Sequence, residues 1–134
     1  MFSFLSTNSN FYKKINFEHI QIALRKPNEY IIINTLPSVD QNVLITGTIN
    51  AFSEENIINE MIHNINIPDK KVIIYGKNAN DESPYKKYKQ LHNLGITEIS
   101  IYSGGLFEWL LLQDIYGFKS FPTNSKITDI LKYK

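Results

Sequence analysis

Residues 72–88 read VIIYGKNANDESPYKKY, and the three parts of that stretch decide the fold class. Val72 to Tyr75 is an apolar, β-branched run of the kind that fills a strand covered on both faces. Gly76 to Glu82 is polar and turn-forming, with Asn78 and Asn80 able to bond their own main chain. Ser83 and Pro84 then read as a helix start, serine as cap and proline at the first helical position. Tyr85, Tyr88, Leu91 and Leu94 follow at helical spacing. A buried strand that empties through a polar loop into a helix is part of a βαβ unit, and such folds place their sites at the carboxyl ends of the strands.

The same alternation runs outward in both directions. Asn16 caps an expected helix with Phe17, Ile20, Ile22 and Leu24 as its apolar stripe, and Pro27-Asn28 ends it. YIIINT (30–35) is a second buried strand, and LITGTI (44–49) a short one with Gly47 at a close approach. Ser53, followed by Glu54 and Glu55, reads as a helix cap. Ile57, Ile58, Met61, Ile62 and Ile65 then face inward, and Pro68-Asp69 turns the chain toward the stretch quoted above. Gly95 suits a left-handed helix stop. ITEISIY (96–102) is a further strand, and Gly104-Gly105 opens the helix LFEWLLLQDIY, which Gly117 closes. Phe107, Trp109 and Leu110 to Leu112 are read as core, and SKITDILKYK as a last short helix. Loops 34–42, 76–83 and 103–106 are expected to converge. The organisation is an extension at 1–14 and one domain at 15–134.

Composition narrows the chemistry. The chain has 134 residues and 15.6 kDa, a size that fits one core. Its 14 basic and 13 acidic residues leave a net charge of +1, which offers no broad field for phosphates and argues against nucleic acid as a partner. Lys13-Lys14, Lys70-Lys71 and Lys86-Lys87 read as solvated helix ends or turns, and Arg25 is the sole guanidinium. Cysteine is absent, which removes disulfides, thiolate zinc sites and any cysteine nucleophile. His19, His63 and His92 fall on three different expected helices without metal-ligand spacing, so neither a metal nor a cofactor is expected. Asp40, Asp81 and Glu82 are the acids that would have to gather for a hard cation. LFEWLLL is interrupted by Glu108 and too short to span a bilayer. A cytoplasmic location without a membrane role is therefore expected. The heavy use of Asn, Ile and Lys fits an A/T-rich genome, and the host cytoplasm or virion would apply were that genome viral.

With these elements in order, the chain resembles a single rhodanese-like domain. Three stretches carry the resemblance: YIIINT followed by ITGTIN, then VIIYG with its loop and helix, then IYSGGLFEW, which is similar to the family's glycine-glycine-x-x-x-tryptophan signature. The resemblance covers roughly residues 15–117 and implies an α/β three-layer sandwich, a mostly parallel five-stranded sheet with helices on both faces.

In catalytic members of that family the loop after the fourth strand begins with a cysteine that takes up sulfane sulfur as a persulfide, held by backbone amides and basic residues. Gly76 stands at that place here. The pocket loop is then Gly76, Lys77, Asn78, Ala79, Asn80, Asp81, Glu82 and Ser83, with Asn34, Leu36, Ser103 and Gly104 on its rim. The loop has no arginine, and Asp81 and Glu82 put negative charge where an anion would rest. The resemblance thus implies a domain without the persulfide carrier, working as a binding or structural module with a protein partner or a second copy of itself. The alternatives are an enzyme that uses the emptied pocket for other chemistry and a subunit of a larger, viral or protist assembly.

Overall fold

A computed structural model describes residues 12–63 and 70–134. Residues 1–11 of the expected extension, with Ile65 and the Pro68-Asp69 turn, lie outside the described residues. The strands are β1 (Lys14–Ile15), β2 (Tyr30–Asn34), β3 (Lys71–Tyr75) and β4 (Ile99–Tyr102). The helices are α1 (Phe17–Leu24), α2 (Ala51–His63), α3 (Ser83–Asn93) and α4 (Gly105–Tyr116), with short 3-10 turns at Ser38–Asp40 and Ile130–Tyr133. The sheet order is β1-β4-β3-β2 and all three ladders are parallel. Among the described residues no helix is long and apolar enough to cross a membrane.

The period-2 alternation of the strands divides the core between the two faces of the sheet. Ile31, Ile33, Val72, Ile74, Ile99 and Ile101 meet Ile58 of α2 with Tyr88 and Leu91 of α3. Ile32, Ile73, Tyr75 and Tyr102 meet Ile20 and Ala23 of α1 with Leu106, Trp109 and Leu110 of α4. Burial on both faces is what the continuous isoleucine runs require.

Among the described residues the sheet has four strands, where five were expected. LITGTI makes a single parallel bridge, Ile32 to Thr48, because other partners take its amides. Ile45 N–H donates to the Tyr75 hydroxyl at 3.1 Å, and Thr46 N–H to the Pro122 carbonyl at 3.1 Å. The Tyr75 hydroxyl also lies 2.7 Å from Thr48 Oγ1, so one buried phenol replaces part of a strand ladder. Burial pushes its titration far above the usual tyrosine range, against the pull of those two hydrogen bonds.

Smaller departures have local causes. Asn50, not Ser53, caps α2, its Oδ1 accepting the Ser53 amide at 2.9 Å. Asn16 caps α1 as expected, accepting from the Glu18 amide at 3.0 Å, but Ile22 is exposed because it lies across the helix from Ile20 and Ala23. Leu94 and Leu111 are likewise exposed, at 48% and 39%. Gly95 adopts φ +101° after α3 and Gly117 φ +106° after α4, the left-handed region that only glycine enters freely. The tail forms one 3-10 turn, with Tyr133 fully buried.

Tyr75→Phe is expected to lower stability by roughly 1–3 kcal/mol, since it strands the buried Ile45 amide. A urea midpoint equal to that of the parent would show that the hydroxyl does not hold the 45–48 segment.

Candidate functional site

The three loops meet at the carboxyl end of the sheet. Thr35 N–H donates to the Tyr75 carbonyl at 3.0 Å, Leu106 N–H to the Gly76 carbonyl at 2.9 Å and Phe107 N–H to the Lys77 carbonyl at 2.9 Å. The first-turn amides of α4, which have no partner within their own helix, are thereby engaged by the loop. Gly105 makes this approach possible: at φ +72°, its position would bring a Cβ to 2.8 Å from the Asn78 nitrogen and 3.0 Å from the Gly76 oxygen.

Inside the curl sits a carboxylate from the loop itself. Asp81 Oδ2 accepts the Lys77 amide at 2.8 Å. Its Oδ1 accepts the Ser83 amide at 2.9 Å and the Ser83 hydroxyl at 2.8 Å. Burial alone would raise the Asp81 pKa, but the bonds from Lys77 and Ser83, with the Lys77 ammonium, outweigh it and hold the carboxyl below its ordinary range. The same carboxylate explains Gly76. A Cβ there would collide with Asp81 Oδ2, and would lie 2.8 Å from Pro84 Cγ and 2.9 Å from Asp81 Cγ, far inside the 3.5–4.0 Å of normal carbon contact.

Ser83 was expected to cap α3. Instead it is the first helical residue, and Glu82, exposed, stands before it without a side-chain cap bond. The Ser83 hydroxyl also lies 2.7 Å from Thr35 Oγ1, which ties the loop to the end of β2. Asn80 N–H donates to Asn78 Oδ1 at 2.9 Å, and Asn78 Nδ2 reaches the Tyr133 carbonyl at 3.1 Å. Ala79 is exposed. Lys77 approaches Asp40 at 3.9 Å, and Lys132 approaches the same acid at 3.8 Å. Asp40 is therefore matched with lysines and does not join Asp81 and Glu82, and among the described residues no three acids or histidines gather as metal ligands.

The rim residues divide. Asn34 is buried with its Oδ1 turned back to the Leu36 amide at 3.0 Å. Leu36 belongs to the core, so it supports the loop from beneath. Ser103 and Gly104 lie half-buried where β4 turns into α4. The Glu108 carboxylate folds over Gly104 and accepts the Tyr102 hydroxyl at 2.6 Å; burial first, then Glu108, raises the Tyr102 pKa well beyond its usual value. An open cleft of about 450 Å³ remains between Thr35, Pro37, Lys77, Asn78, Asn80, Asp81 and Ser83. Sequence reading missed Thr35 and Tyr133. Asp81 itself carried a signal, since Asp-x-Ser ahead of a helix is the spacing at which an aspartate bonds the amide two residues on.

None of the curated proteins matches the chain. Among solved structures it is similar to a protein from Lactobacillus plantarum, at 19% identity and TM-score 0.60 over 84% of this chain and 92% of that one. It is also similar to the Alr3790 protein from Anabaena sp., at 20% identity and TM-score 0.59 over 88% and 97% of the two chains. The BH2092 protein from Bacillus halodurans matches at 16% identity and TM-score 0.59 over 86% and 81%. At such identities the likeness is one of fold. A family profile described as rhodanese-like domain matches residues 7–112, and with most of its length so matched the chain belongs to the rhodanese-like domain family.

Proposed function

We propose that this chain is a non-catalytic rhodanese-like module that acts by binding a protein partner. The observation that carries the reading is the Asp81 carboxylate, seated against Gly76 where a cysteine side chain would begin. Without cysteine the chain has no persulfide carrier, and the Lys77 and Ser83 amides of the loop are engaged by an internal anion. A second anion within about 4 Å of that carboxylate meets roughly 4 kcal/mol of repulsion per unit charge near a protein surface. Lys77, already leaning toward Asp40, supplies one opposing charge. Thiosulfate, a dianion, is thus disfavoured in the cleft.

In a thiosulfate:cyanide assay the purified protein is expected to turn over no faster than buffer, and turnover well above that blank would end the module reading. The steric part is separable. Gly76→Cys is expected to destabilise the fold by roughly 1–3 kcal/mol through overpacking. Asp81→Ala alone should remove about 1–2 kcal/mol, modest because the carboxylate is partly exposed. The double variant should be more stable than the sum of the two losses implies; strict additivity would mean that Asp81 does not occupy the Cβ position.

The charge of Asp81 gives a pH signature. Its pKa is held below the unfolded value, which is about 3.9. The group therefore contributes stability that is present above the unfolded value and lost as pH falls through the folded one. The gap in urea midpoint between the parent and Asp81→Asn should be full at neutral pH and shrink below about pH 4. A gap that stayed constant through that range would show that the carboxylate charge does not hold the loop.

A further inference from the structure

Lysines that lie far apart in sequence are brought onto one face by the fold. Ile101 N–H donates to the Lys13 carbonyl at 2.8 Å, which fixes β1 at the sheet edge beside β4. Tyr12 then packs edge-on against Tyr85 and Tyr88 of α3, with ring centroids 5.0 and 5.1 Å apart. Lys14 Nζ lies 5.7 Å from the Tyr85 ring centroid. Lys89, four residues after Tyr85, shares its side of the helix, and Lys86 stands one residue round. Lys14, Lys86 and Lys89 are exposed. None of them forms an ion pair within the described residues, whereas Lys87 is held by Glu54 at 2.5 Å. Glu82, at the start of α3, is the acid nearest to them along that helix.

We propose that this face of β1 and α3 docks an acidic segment of a partner protein. The reading rests on the module function above and names the partner's chemistry. Three ammonium groups without ionic partners among the described residues make a local positive field although the whole chain is close to neutral, and charge complementarity of this kind steers association. Nucleic acid fits less well, because Tyr12 packs edge-to-face against both Tyr85 and Tyr88, Lys14 covers the Tyr85 ring, and Tyr88 is stacked on His92 and 6% exposed. Ring faces for base stacking are therefore not presented. The face has lysines and no arginine fork. A membrane surface fits less well too, because an interfacial element needs apolar side chains beside its lysines. Among the described residues the large exposed apolar side chains of the helices on this side of the sheet are Phe52, on α2, and Leu94, past the last turn of α3, neither of them between Lys86 and Lys89 in sequence, while Leu111, Ile115 and Tyr116 sit on α4, which packs on the opposite side.

The test is fluorescence anisotropy with a labelled short poly-glutamate peptide in low-salt buffer. The parent should bind it, and Lys14→Glu/Lys89→Glu should weaken binding by about tenfold or more with an unchanged melting temperature. Lys14→Gln/Lys89→Gln should give a smaller loss, while the control Lys119→Glu/Lys126→Glu should bind like the parent. Equal losses in the control pair and the face pair, or no binding by the parent, would overturn the proposal. Tighter binding of an oligothymidylate of equal length, or of phosphatidylserine vesicles, lost in the same face variants, would overturn it in favour of those partners. Sulfurtransferase turnover would sink the module reading without altering this titration, so the two failures are distinguishable.

Discussion

Three donors from one turn of chain converge on the Asp81 carboxylate: the Lys77 amide, the Ser83 amide and the Ser83 hydroxyl. Bonds to an ionised acceptor are roughly twice as strong as neutral ones, and the arrangement around them follows. Gly76 has to lack a side chain, because the carboxylate fills its Cβ position. Ser83, drawn inward, turns its hydroxyl to Thr35 and couples α3 to the end of β2. With the Lys77 amide turned toward Asp81, the carbonyls of Gly76 and Lys77 face α4 and receive its first-turn amides. Gly105 permits the close approach. One side chain thus sets the orientation of the peptide groups through which the three loops touch.

The segment after α4, beyond the profile match that ends at residue 112, works on the same end of the molecule. Trp109 Nε1 donates to the Pro122 carbonyl at 3.1 Å, and the Leu44 amide to Asn124 Oδ1 at 3.0 Å. Together with the Thr46 bond to Pro122, these contacts draw the 44–46 backbone away from β2. That is the physical reason a fifth strand shortens to one bridge. The chain then reaches Tyr133, whose burial and the neighbouring Asp40 both raise its pKa. Its carbonyl accepts from Asn78, so the tail braces the loop from outside while Asp81 fills it from inside.

The layers were legible in the sequence wherever burial alone decides. Isoleucine runs specify strands covered on both faces, and the helical stripes specify most of the contacts against them. The errors fall where side chains compete with backbone. LITGTI carries strand propensity, but a tyrosine hydroxyl and a distant proline carbonyl claim its amides, and no local pattern encodes such partners. Ser53 and Ser83 both looked like caps by residue type; each instead donates its own amide to an acceptor two or three residues upstream, Asn50 or Asp81, and so lies inside its helix. Ile22 was misassigned by hydrophobicity without angle, since it lies across the helix from Ile20. At the site, the identity of the loop and of Gly76 could be read, whereas Thr35 and Tyr133 could not, because tertiary contact alone brings them there.

Asp81 and Glu82 read alike in sequence, as two negative charges that oppose an anion. In the structure they differ by one methylene and by everything that follows from it. The shorter side chain reaches amides on both sides of its own turn and becomes the ligand of the loop, while Glu82 stays in solvent. The inward curl of amides requires an acceptor, but it does not require a foreign one. With glycine at the head of this loop, an aspartate five residues on supplies that acceptor from within the chain. Scaffold and chemistry are separable in a fold, and the likeness to solved structures at 16–20% identity is a likeness of that scaffold.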